Sequence, residues 1–113
     1  MIIETIRGVE LDGAVINNYF RSLVNLFFKI LPIWESGDGS VSTYMETLQA
    51  ELLGCRNLIS VFKHDGRFLT LASILQDLID HPEYSHTKVR KTVFDAITIC
   101  NRLRASYFEE AGT

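Results

Sequence analysis

The stretch "VINNYFRSLVNLFFKILPIW", residues 15–34, decides how the chain folds. Val15, Ile16, Tyr19, Phe20, Leu23, Val24, Phe27, Ile30 and Leu31 recur every three or four residues, the period of one face of an α-helix. Asn18, Arg21, Ser22, Asn25 and Lys29 form a narrow polar stripe on the other side. Leu26 and Phe28 widen the apolar surface beyond a single face. A helix that broad is either central in a bundle or lines an interface between copies of the chain. Asp12 is a good N-cap type, and Pro32 disfavours helical backbone at Leu31. The pattern therefore predicts a helix over about 12–31. Asn25 and Lys29 interrupt the stretch and Pro32 ends it, so it is too short and too polar to span a bilayer.

Three further helices follow. "ESGDGS" (Glu35–Ser40) is turn-like. Ser40, Ser42 or Thr43 can cap the next helix, and Thr43 would form a capping box with Glu46. Met45, Leu48, Leu52, Cys55, Ile59 and Phe62 then extend it over about 43–63. Gly54 inside it costs about 1 kcal/mol relative to Ala, which a close helix crossing would justify. Asp65–Gly66 breaks the pattern. A third helix over about 67–80 buries Phe68, Leu71, Ala72, Leu75, Leu78 and Ile79, and Pro82 stops it. The fourth, over about 85–109, presents Val89, Val93, Ala96, Ile97, Cys100, Leu103 and Tyr107. Short connections between amphipathic helices predict an all-α fold, an antiparallel bundle of four main helices in one domain over 1–113. The opening residues, about 1–11, read as a short extended N-terminal arm, either strand or coil.

Composition narrows the function classes. The chain has 113 residues, a 47% hydrophobic fraction and a formal charge of −3. An acidic balance argues against duplex nucleic acid as the main partner, because DNA-binding surfaces are net basic. The start, "MIIETIRGVELDG", has neither the basic region nor the apolar run of a signal peptide. Cys55 and Cys100 both fall on apolar stripes, as unpaired thiols do in a reducing compartment. A soluble, cytoplasmic protein without membrane association is the expectation.

The sequence gives little support to catalysis. "His64–Asp65" is the dipeptide of metal-dependent HD phosphohydrolases, yet no His precedes it and two ligands do not hold a catalytic metal. Asp77 and His81, spaced i,i+4, make half a metal site at most, and a His is electrostatically welcome at a helix C-terminus in any case. The chain has no Glu-x-x-Glu, nucleophile elbow, P-loop or dinucleotide fingerprint. No cofactor is called for. The sharpest local oddity is "HPEYSHTKVRKTVF", residues 81–94, which places His86, Lys88, Arg90 and Lys91 at a helix start, where positive charge is unfavourable. A phosphate held there by Lys88 and Lys91, with Ser85 and His86 beside them, would relieve it. At 100° per residue Lys88 and Lys91 lie about 60° apart while Arg90 points elsewhere. The simpler reading is a solvated face balanced by Asp77, Asp80 and Glu83. Trp34, Tyr19 and Phe28 are candidate contacts for a partner, since exposed aromatic residues are enriched in binding hot spots. Trp34 and Ile33 can equally pack over the bundle end.

The segment "NNYFRSLVNLFFKILPIWESGDGSVSTYMETLQAELLGC", with "RFLTLASILQDL" and "VFDAITICNRL", resembles small helical proteins carried by bacteriophages and integrated mobile elements. The resemblance rests on texture over most of the chain and brings no motif of known chemistry. It implies a protein that acts by binding. The leading expectation is a non-enzymatic inhibitor of a host protein, a defence effector above all, and a homo-oligomer. The alternatives are an oligomeric sponge for a cyclic or ADP-ribose-type nucleotide signal, and a small metal-dependent hydrolase built on Asp77 and His81.

Overall fold

In a computed structural model, which describes residues 3–4, 10–11, 13–37 and 39–112, the opening stripe becomes α1 (Gly13–Phe28). A short helix, α2 (Ile30–Ser36), follows at once, then α3 (Ser40–Leu58). A 3₁₀ turn (Ser60–His64) leads into α4 (Gly66–Asp80), and α5 (His86–Gly112) completes the chain. Before α1, β1 (Ile3–Glu4) pairs antiparallel with β2 (Glu10–Leu11), Ile3 opposite Leu11 and Glu4 opposite Glu10. The fold is all-α, and α1, α3, α4 and α5 are its four main helices. The Asp12 cap and the rest of the arm lie outside the described residues.

Several boundaries differ from the sequence expectation, each for a local reason. The first helix does not run to Leu31. It breaks at Lys29, and Pro32 sits in the first turn of α2. Backbone N–H groups in a first turn have no helical partner, so a proline there costs nothing. Gly37 (φ 68°) ends α2, and its N–H donates to the Trp34 carbonyl at 3.3 Å. Gly39 (φ 82°) occupies the N-cap position of α3, so none of Ser40, Ser42 and Thr43 is the cap and the Thr43–Glu46 box does not form. The second helix also stops short of 63. Ile59 is extended, and the 3₁₀ turn carries Phe62 into the core. Gly54 marks no close crossing, because a Cβ added there meets nothing within 4 Å.

The apolar stripes meet in one core. Phe20, Phe62, Phe68 and Tyr107 form its aromatic centre, with ring centroids 4.6 Å apart for Phe62–Phe68 and 4.8 Å for Phe62–Tyr107. Such pairs contribute about 0.5–1.5 kcal/mol beyond the area they bury. α1 lies antiparallel along α5: Phe20 meets Tyr107 near one end and Phe28 meets Phe94 at the other. α3 packs chiefly on α4, where the Gln49 carboxamide donates to the Ala72 carbonyl at 2.9 Å. α2 bridges α3 and α5. α1 and α3 touch less closely, though Tyr44 donates its hydroxyl to the Leu26 carbonyl at 2.7 Å. Between them lies a mainly apolar cleft of about 190 Å³, lined by Tyr19, Leu26, Leu48, Glu51 and neighbours.

Candidate functional site

The basic residues at the start of α5 diverge. Ser85 caps the helix: its hydroxyl accepts the Lys88 N–H at 3.2 Å and its carbonyl accepts the Val89 N–H at 3.0 Å. The chain itself therefore takes up donors that an anion would use. Lys88 extends over the Tyr84 ring, Nζ 5.5 Å from the centroid, while Arg90 turns to α2 and lies 4.0 Å from Glu35. Lys91 and His86 are exposed, with no partner among the described residues. The upstream acids attend to His81 and Tyr84 rather than to these lysines. His81 Nδ1 lies 2.7 Å from Glu83 and Nε2 3.8 Å from Asp77, and Tyr84 donates its hydroxyl to Asp77 at 2.9 Å. The Glu83 carboxylate raises the His81 pKa above its ordinary value.

Within the His64–Asp65 dipeptide, the Asp65 carboxylate is committed to structural bonds. Asp65 caps α4, accepts the Arg67 guanidinium at 2.6 Å and accepts the Tyr107 hydroxyl at 2.6 Å. Hydrogen bonding to Arg67, reinforced by Tyr107 against the opposing effect of burial, lowers its pKa to about 2. Among the described residues, no group of three or more His, Cys, Asp or Glu side chains is placed to hold a metal ion. Burial pushes the Cys100 thiol up to about 12 and raises Cys55 as well, so neither is a ready nucleophile.

The three aromatic contact candidates have different surroundings. Trp34 is half-buried against the core and borders a shallow cleft with Gly37, Gly39, Val41 and Pro82. Tyr19 turns inward, and its buried hydroxyl lies beside Cys55 with no partner in hydrogen-bond geometry. Phe28 alone among the three is exposed, at 40%, and its ring stands edge-on to that of Phe94, itself 45% exposed, with centroids 5.7 Å apart.

That ring pair opens onto a second feature of the α1–α5 seam. Arg21, Val24 and Asn25 of α1 face Asn101 and Arg104 of α5 across a polar cleft of about 170 Å³. The side chains of both arginines and both asparagines make no hydrogen bond or ion pair to any described residue. Arg67, by contrast, is locked to Asp65. Arg21 and Asn25 belong to the polar stripe visible in the sequence. Arg104 and Phe94 were not singled out there, because only the pairing of α1 with α5 brings them opposite Arg21 and Phe28. Their signal in the sequence is faint: Phe94, Asn101 and Arg104 flank the buried positions of α5 on one side, at spacings of seven and three.

Among the described residues no helix is long and apolar enough to cross a membrane. Comparison with protein-family models, curated proteins and solved structures gives no match for this chain, so function has to be read from the chain's own residues.

Proposed function

We propose that this is a non-enzymatic binding protein that engages an acidic protein surface through the α1–α5 face. One observation carries the reading: the exposed Phe28–Phe94 pair shares a seam with two arginines that have no described counter-charge. Aromatic anchors beside arginine are the residue types that dominate binding energy at protein interfaces. The charges would steer an acidic partner, and the rings would supply the desolvated contact. In the setting that the phage resemblance implies, the partner is a host protein that the module blocks. The anchors sit on helices, so the face is pre-organised and loses little conformational freedom on binding.

The test is site-specific photo-crosslinking in the producing cell, with a benzophenone side chain at position 94 and, as control, at exposed position 64. The expected result is one discrete heterologous product from position 94, none from position 64, and loss of the product in Arg21→Glu/Arg104→Glu. A product formed only between copies of the chain, or one that persists unchanged in the double variant, overturns the reading.

A further inference from the structure

We infer that the cleft between Arg21 and Arg104 is a binding site for a phosphate group carried by a small molecule. It shares both arginines with the protein-binding reading, yet it is measured on the isolated chain without a protein partner, so each reading can fail without the other. Arg21 and Arg104 line the cleft from opposed helices, with Asn25 and Asn101 beside them. All four bring N–H donors, and the described residues supply no acceptor for them. A guanidinium fork binds an oxyanion through two parallel hydrogen bonds. A carboxylate presents one such edge and one negative charge. Two arginines supplied by opposed helices call for acceptors on both sides and for more than one charge, which a tetrahedral phosphate dianion offers.

Size and position agree with this. Drug-sized ligands occupy pockets of about 300–1,000 Å³, whereas this cleft holds about 170 Å³. It accommodates one charged group and leaves the rest of the ligand outside. Along α1, Phe28 lies about 10 Å beyond Arg21 and about 5 Å beyond Asn25, at 1.5 Å per residue. An aromatic moiety attached to the phosphate has a stacking surface in that direction. The basic segment at the start of α5 lacks these features: Ser85 already caps the helix, and Lys88 and Arg90 point to different neighbours.

The experiment follows the Arg Nε–H and Asn side-chain amide resonances of the intact chain during titration with inorganic phosphate, adenosine 5′-monophosphate, adenosine, acetate and chloride, at constant ionic strength. Saturable shifts at Arg21, Arg104, Asn25 and Asn101 with phosphate and the monophosphate alike, and none with adenosine or chloride, are expected. A response to the monophosphate alone would make the ester the ligand and still supports the site. At tenfold excess over the dissociation constant, binding to the native state alone raises the melting temperature by about 5 °C. Arg21→Gln with Arg104→Gln should abolish both effects, and Asn25→Ala should weaken them. Shifts that stay linear without saturation, that persist in the arginine double variant, or that acetate reproduces at equal concentration overturn the inference. Arg21 is exposed and Arg104 half-buried, and circular dichroism of the variants checks that they fold.

Discussion

Asp65 ties the 3₁₀ turn, α4 and α5 together. It caps α4, pairs with Arg67 and receives the Tyr107 hydroxyl from α5. Its ionised form is favoured in the native state, where its pKa falls from 3.8 to about 2. A depressed carboxylate stabilises the fold above its unfolded pKa, and that stability is lost as pH falls through the native value. Asp65→Asn keeps a capping side chain and loses the charge, so it should cost about 1–2 kcal/mol at pH 7. Urea melts at pH 7 and pH 2.5 check this, because the gap between wild type and variant should narrow strongly at the lower pH. Tyr19 gives the opposite sign. Its hydroxyl is buried with no partner in hydrogen-bond geometry, so Tyr19→Phe should leave stability unchanged or raise it by up to about 1 kcal/mol. A loss above that size in the same melts would mean the hydroxyl is bonded.

At the scale of elements, two glycines should respond to the same substitution with opposite signs. Gly54 lies inside α3 with open space around it, so Gly54→Ala should stabilise by about 0.5–1 kcal/mol. Gly39 is left-handed (φ 82°), so Gly39→Ala should cost about 1–2 kcal/mol. Thermal melts of the two variants bracketing wild type are the expected outcome. The helical stripes themselves were legible in the sequence. Met45, Leu48, Leu52, Ile59 and Phe62 are all buried, and so is the whole expected face of α5. What misled was continuity: the three-four spacing runs through Ile59 to Phe62, although the backbone is extended at Ile59 and continues as a 3₁₀ turn. Pro32 misled differently, because a proline that ends one helix and a proline in the first turn of the next look alike in sequence. The candidate cleft was half legible. Arg21 and Asn25 stood out as a polar stripe, but Asn101 and Arg104 join them only through tertiary pairing of helices distant in sequence.

For the whole molecule, α5 is the spine. Its 27 residues make about 40 Å of helix at 1.5 Å each, close to the 43 Å long axis of the fold. Cys100 sits fully buried midway along it, inside the single core cluster. Its thiol should therefore react with a disulfide reagent only when the core opens as a unit. The expected labelling rate rises with urea in step with global unfolding and changes with the same denaturant dependence. Cys55, half-buried, should react faster under native conditions. Equal rates for the two cysteines in native buffer would show that α5 separates from the bundle without unfolding it.

The placement of Trp34 has a practical corollary. It is the chain's one tryptophan, and it sits half-buried at the α2–α3 turn beside Pro82, on residues that share nothing with the Arg21–Arg104 cleft. The molecule thus carries an intrinsic fluorophore at a single, known corner. A titrant that changes its emission acts on that corner or on the fold as a whole. A titrant that shifts the Asn25 and Asn101 resonances while the emission stays constant is confined to the α1–α5 seam. Light and nuclear spin then separate local occupancy from global rearrangement with no label added.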